Sequence, residues 1–287
     1  MMKRLGDWCY IESVIRIVMV RGIIINMNEV NRTLFIPLYG KAMVSKKGII
    51  LSDPSAEKIW EKEAFPVKGK SGSKWLAYNM AMRARIFDEW TDSMTEQDPG
   101  ALVLHIGCGL DSRCQRVKNH PKLWLDCDFP DVISMRRKYY EETSVYQMRE
   151  LNASDPEQVR ALPDNNNVIV ILEGISMYLT GEQLRAFFAV LQEKYESVHI
   201  LMDIYTVFGA RASKYKNPIN DVGVTTVYGI DDINGLLNGL KIRFKAEHSL
   251  TPAHLVDELQ GFDRSFFKMM FTGKMYRKIY RLVELEI

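Results

Sequence analysis

Three carboxylates and one glycine turn, each at the end of an apolar run, are the residues of this chain best placed to do chemistry. The run Leu102–Ile106 leads straight into Gly107-Cys108-Gly109, and Asp111 follows two residues later. A buried strand ending in a glycine turn lets an α/β sheet bring its backbone close to a bound nucleoside. A dinucleotide fingerprint needs a third glycine, and Ser112 stands in its place. The turn therefore points away from a pyrophosphate cofactor and toward S-adenosylmethionine. Short Gly-x-Gly turns also end ordinary strands, so the turn alone leaves both readings open.

The next run, Leu123-Trp-Leu-Asp-Cys-Asp128, puts Asp126 and Asp128 at a second strand end. A carboxylate there accepts both hydroxyl protons of a ribose diol. The competing reading of Asp128 is a helix N-cap, since Phe129-Pro130 follows. A third run, Val168–Leu172, ends in Glu173-Gly174, and a helix starts at Thr180 or Gly181. A buried glutamate needs a partner. The sulfonium and ammonium of the cofactor would serve, and so would Arg83, Arg85 or Arg113. Methyl transfer needs an in-line approach and a dry pocket. Tyr178 is read as the residue that orients the acceptor. His105, inside the first strand, is read as a hydrogen-bonded sheet histidine rather than a base.

These residues need a scaffold of strands alternating with helices. Strands are expected at Leu102–Ile106, Leu123–Cys127, Val145–Met148, Val168–Leu172 and Val198–Asp203. Helices are expected at Pro130–Glu142, Pro156–Leu162 and Thr180–Tyr195. Repeated β-then-α units predict a mostly parallel sheet covered on both faces. Lys241–His248 and Tyr276–Ile287 are expected to close one edge as an antiparallel, hairpin-like pair. Residues 204–235, with Tyr205, Arg211 and Tyr215, read as an insertion over the pocket. Upstream, residues 27–95 read as a helical cap. Asp53 caps a helix with Pro54 at its first position. Lys74–Ser93 carries Trp75, Tyr78, Met82, Ile86 and Trp90 along one helical face, read as core. Lys68–Lys74 lacks the spacing of a phosphate loop.

Four segments in register resemble the leucine carboxyl methyltransferase family, including its bacterial polyketide-type O-methyltransferases. They are Thr33-Leu-Phe-Ile-Pro-Leu-Tyr-Gly-Lys-Ala42, Gly107–Arg113, Leu125–Val132 and Leu172–Leu179, and the match runs over roughly residues 30–205. The resemblance implies a Rossmann-like methyltransferase fold, α/β with an antiparallel edge, over residues 96–287, and S-adenosylmethionine as cofactor without a metal. It implies that Arg83 holds the methionine carboxylate, Gly107 lines the methionine moiety and Asp128 holds the ribose. Glu150-Leu151 would lie beside the adenine and Glu173 would face the amino group. Gly109 and Asp111 join the cofactor set through the glycine turn. The chain departs from the family at Ala84, where Thr is usual, at Glu150, where Asp is usual, and at Lys41, where Arg is usual. Arg85 could compete with Arg83.

Composition bounds the rest. The chain has 287 residues, 47% hydrophobic and 26% charged, which is enough for a sizeable core. Its net charge of +2 asks for neither nucleic acid nor a charged surface. The four cysteines, Cys9, Cys108, Cys114 and Cys127, form no Cys-x-x-Cys pair, which points away from zinc and toward a reducing, cytoplasmic setting. Arg16 and Arg21 break residues 11–25 into apolar runs of four or fewer, against the roughly 18 of a membrane span. Residues 1–26 read as an amphipathic element on the core or, preferably, as an extension upstream of Met27. The expected activity is O-methylation of a carboxylate or hydroxyl on a small molecule. Methylation of a protein C-terminal carboxylate and non-catalytic nucleoside binding are the alternatives. A nicotinamide dehydrogenase is opposed by Ser112.

Overall fold

The computed structural model describes residues 19–20, 23–24, 33–63, 72–213 and 226–287. The reading of 1–26 falls outside these residues, except that Met19–Val20 pairs antiparallel with Ile23–Ile24. Residues 64–71 and 214–225, including Tyr215, also lie outside.

Seven strands form one sheet: β1 (Leu102–Ile106), β2 (Leu123–Asp128), β3 (Tyr146–Glu150), β4 (Asn167–Leu172), β5 (Ser197–Tyr205), β6 (Arg243–His248) and β7 (Tyr280–Glu286). The order is β3-β2-β1-β4-β5-β7-β6. The first five are parallel, and β7 runs antiparallel between β5 and β6. The closing strands are therefore antiparallel neighbours but not a hairpin. Residues 249–279 intervene, and β7 starts at Tyr280 because Lys274–Arg277 coil into a helical turn. Strands β1 and β4 are buried almost end to end, as apolar runs covered on both faces must be.

Helices α1 (Phe35–Lys46), α2 (Pro54–Glu63) and α3 (Lys74–Gln97) precede the sheet. Between strands come α4 (Pro130–Arg136), α5 (Pro156–Arg160) and α6 (Gly181–Lys194). After β5 come α7 (Val207–Ser213), α8 (Ile233–Leu237) and, beyond β6, α9 (Gly261–Phe271). Local chemistry sets several starts. Ala56 N–H donates to Asp53, as expected for its cap. Thr180 and Gln183 form a reciprocal capping box on α6. Helix α4 is shorter than its apolar pattern, ending at Arg136 instead of reaching Glu142.

The core has three parts. Met82, Phe87 and Trp90 of α3 pack on Val103, Ile169, Leu201 and Leu282. On the other face Leu184, Phe187 and Leu191 of α6 meet Leu104, Val170, Ile200 and Val283. A third cluster joins Leu38 of α1 and Ile59 of α2 to Ile133 of α4, with Cys108 and Leu110 of the glycine turn inside it. Each fully buried side chain of this kind contributes about 1.5–3 kcal/mol. The third cluster clamps the turn between helices and so fixes the backbone that faces the site.

Candidate active site

The carboxyl ends of β1, β2 and β4 open into a single cavity of about 920 Å³. Such volumes lie at the upper end of the roughly 300–1,000 Å³ of small-molecule sites. Its floor is the glycine turn. Gly107 and Gly109 have φ of +68° and +54°, the left-handed region that glycine adopts freely. A Cβ on Gly107 would stand 2.8 Å from Ile175 Cδ1. The N–H groups of Gly107 and Cys108 both donate to the Cys127 carbonyl, which ties the turn to β2.

Asp128 ends β2 and lines the cavity. Its carboxylate accepts from Gly109 N–H (2.7 Å) and Phe129 N–H (2.8 Å). It is not the N-cap of α4, which is Phe129. No cation pairs with Asp128 among the described residues. Burial outweighs the two backbone donors and lifts its carboxyl to about 6. A partly buried carboxylate that has no ion pair and faces a cavity suits a ligand with hydroxyl donors. Asp126, two residues earlier, is instead consumed internally. Parallel register sets it beside His105, whose Nδ1 lies 3.0 Å away, and Trp124, Tyr146 and Arg136 also donate to it. His105 Nε2 lies 3.2 Å from the Arg113 guanidinium. Burial lowers the His105 pKa, so it is a neutral, satisfied sheet histidine, as expected.

Glu173 lies at the end of β4 and finds two arginines at once. Arg83 Nε donates to it at 3.0 Å, and Arg113 donates to its other oxygen. Burial alone would raise its pKa, but Arg113 and Arg83 hold it down at about 2. Arg85 is not a competitor, because it pairs with Glu89 on the half-exposed side of α3. Arg83 also donates through Nη1 to Asp203 (2.9 Å) and to the Tyr280 hydroxyl (2.7 Å). Its Nη2 lies over Gly174, 3.2 Å from where a Cβ would stand, toward the cavity. Asp111 is bound by Lys41 (2.6 Å) and Arg116 (2.8 Å). Burial raises its pKa, yet Arg116, Lys41 and Arg113 outweigh that and keep it ionised. It lines the cavity as an anchor for these cations.

Arg83, Gly107, Gly109, Asp111, Asp128, Leu151, Glu173 and Tyr178 all line the one cavity. Glu150 does not. It is half exposed at the edge strand, 3.7 Å from Arg137, because alternation along β3 turns it outward while Leu151 turns in. Trp75 departs from the core reading of its helix face. It lines the cavity and packs on Phe266 and Phe271 of α9. Tyr178 lines the cavity, with its hydroxyl pKa pushed up by burial to about 12.

Tyr280 also lines the cavity, and Asp203 lies buried behind it. Asp203, in β5, accepts from Gly174 N–H (2.7 Å), from Arg83 and from Tyr280. The expected strand Val198–Asp203 puts Asp203 at a strand end, as for Asp128 and Glu173, although β5 runs on to Tyr205. Tyr280 had no local signal, since only the pairing of β7 with β5 brings it there. Among the described residues no group of His, Cys, Asp and Glu could hold a metal ion.

A mostly parallel sheet with one antiparallel edge, a glycine turn after β1 and an aspartate ending β2 together define the Rossmann-like methyltransferase fold. The same fold occurs in a solved structure of a candidate methyltransferase from Thermobifida fusca YX. The TM-score is 0.54 at 12% identity, covering 87% of this chain and 93% of that one. The chain belongs to the leucine carboxyl methyltransferase family, whose model matches residues 25–192. It is 26% identical over 233 residues to the tetracenomycin polyketide synthesis O-methyltransferase TcmP of Streptomyces glaucescens, covering 80% of this chain and 86% of that protein. It is 32% identical over 124 residues to the S-adenosyl-L-methionine-dependent methyltransferase dpfgK of Gibberella zeae, covering 40% of this chain and 42% of that protein. The protein is an S-adenosylmethionine-dependent methyltransferase.

Proposed function

We propose that the protein methylates an oxygen of a small, largely aromatic molecule. The observation that carries this reading is the continuity of the cavity. One end is the Gly107–Asp128 crevice, and the other is a chamber walled by Trp75, Tyr178, Tyr205, Phe271, Tyr276 and Tyr280. Aromatic walls offer broad apolar contact to a flat acceptor. The likeness to TcmP, an O-methyltransferase of polyketide synthesis, supports oxygen as the acceptor atom.

In this reading Asp128 takes the ribose hydroxyls and Leu151 packs on the adenine. Arg83 presents Nη2 to the methionine carboxylate, with Glu173 beside the amino group. Gly107 and Gly109 leave the floor clear, and Asp111 holds Lys41 and Arg116 in place. Tyr178 orients the acceptor. The S-adenosylmethionine supplies an electrophilic methyl group, and the protein's contribution is alignment and exclusion of water. The thiols of Cys108, Cys114 and Cys127 are unpaired, which fits the reducing cytoplasm. Burial raises all three thiol pKa values, so none is a ready nucleophile.

Isothermal calorimetry with S-adenosylhomocysteine and with NAD tests the cofactor assignment. Saturable binding of S-adenosylhomocysteine, lost in Asp128→Ala, is expected. Binding of NAD alone would overturn it.

A further inference from the structure

The chamber contains a hydroxyl wired directly to a carboxylate. Tyr280 opens β7 opposite Tyr205 of β5, with ring centroids 4.9 Å apart, and both line the cavity. The Tyr280 hydroxyl donates to Asp203 Oδ2 and accepts from Arg83 Nη1 at 2.7 Å. Asp203 is fully buried and held from its other side by Gly174 N–H at 2.7 Å. The charged and titratable groups facing Asp203 are Arg83 from α3, Glu173 from the end of β4, Tyr280 from β7, and the hydroxyls of Tyr178 and Tyr276. The phenolic oxygen keeps the capacity to accept one more hydrogen bond from a hydroxyl in the chamber.

We infer that Tyr280 and Asp203 form a proton relay for a hydroxyl acceptor, a role that rests on the methyltransferase reading of this cavity. The acceptor hydroxyl donates to Tyr280 Oη. As the acceptor oxygen bonds the methyl carbon, the carbon–sulfur bond breaks and its electron pair stays on sulfur. The acceptor proton passes to Tyr280 Oη while the Tyr280 proton passes to Asp203 Oδ2. The products are the methyl ether, the neutral thioether and a protonated Asp203, which returns its proton to water once product leaves. Arg83 stabilises negative charge on the phenolic oxygen during the transfer. A carboxylate acceptor arrives already deprotonated and needs no relay. It would need cations instead; Lys41 is engaged by Asp111, and Arg83 by Glu173, Asp203 and, in the reading above, the methionine carboxylate. Burial raises the Asp203 pKa, which makes it a better proton sink than an exposed aspartate.

The test uses 2-naphthol and 2-naphthoic acid as matched flat acceptors, with methyl-labelled S-adenosylmethionine held at saturation. Binding of S-adenosylhomocysteine to each variant is measured separately. The wild type is expected to bind and methylate 2-naphthol in preference to 2-naphthoate. Tyr280→Phe is expected to lower kcat by about 10²–10⁴-fold, the usual range for general acid–base groups, with S-adenosylhomocysteine affinity unchanged. Asp203→Asn is expected to lose the rise of kcat from acid to neutral pH. The relay is overturned if wild type does not bind 2-naphthol. It is also overturned if 2-naphthoate is preferred, or if Tyr280→Phe turns over at the wild-type rate. Failure of the wild type to bind S-adenosylhomocysteine would instead overturn the methyltransferase reading itself.

Discussion

Asp128 and Glu173 show how neighbours give two similar side chains opposite behaviour in one cavity. Glu173 sits between Arg83 and Arg113 and stays ionised down to a pKa of about 2. Asp128 has only two backbone donors, and burial lifts it to about 6. Ribose hydroxyls favour the ionised form of Asp128, so affinity for S-adenosylhomocysteine should rise as pH increases through about 6 and level off above it. Calorimetry across pH 5–8 checks this, and Asp128→Asn should flatten the curve. The same residue carries a cost in the empty protein. A carboxyl with a raised folded pKa opposes folding wherever it is ionised, most fully above about pH 6. The contribution of Asp128 to the urea midpoint of the ligand-free protein should therefore fall as pH rises from about 4 to 6, and Asp128→Asn should remove that pH dependence. Arg113 stands at the other extreme. It is fully buried and bonded to Asp88, His105 and Glu173. Arg113→Met leaves buried carboxylates uncompensated, and a loss of about 3–5 kcal/mol is expected in denaturant unfolding.

At the scale of elements, the turn after β1 is the part with least room for change. Gly107→Ala forces a side chain into left-handed backbone, at a cost of about 1–2 kcal/mol. Its Cβ would also lie 3.1 Å from Ile175 Cβ, at the N-cap of the short helical turn Ser176–Tyr178 that follows Glu173. The expected result is a lower unfolding free energy together with roughly tenfold weaker S-adenosylhomocysteine binding, about 1.4 kcal/mol. Gly48 offers the control, since its φ is +66° but nothing lies within 4 Å of its Cβ position. Gly48→Ala should lose stability alone and keep ligand affinity. Strand existence was legible from apolar runs, and β1, β2 and β4 lie where those runs lie. Ends were less legible where tertiary partners override pattern. Helix α4 stops at Arg136, whose guanidinium is drawn to Asp126 and the Gly109 carbonyl. The family resemblance places Glu150 beside the adenine, and edge-strand alternation faces its side chain outward.

For the whole molecule, the buried carboxylates set the response to acid. Arginines hold Glu173 and Asp126 at about 2, and cations hold Asp111 low, each against the opposing effect of burial. Groups with depressed folded pKa values contribute stability that is complete above their unfolded values near 4. That stability should disappear as pH falls from about 4 toward 2, visible as a falling urea midpoint. Saturating S-adenosylhomocysteine should raise Tm at neutral pH, corresponding to about 2.7 kcal/mol at a hundredfold excess over Kd. That gain should shrink below pH 6 as Asp128 is protonated.

The alternating α/β architecture, the glycine turn, the strand-end positions of Asp128 and Glu173, and the family resemblance are all written in the order of residues along the chain. These depend on hydrophobic periodicity and short motifs, which act over a few residues. Tertiary structure decided how the charges are shared. Arg83 meets Glu173, Asp203 and Tyr280, drawn from segments far apart in the chain. Their meeting requires β7 to insert between β5 and β6, a long-range pairing with no local signature. The same insertion brings Tyr280 to the cavity wall.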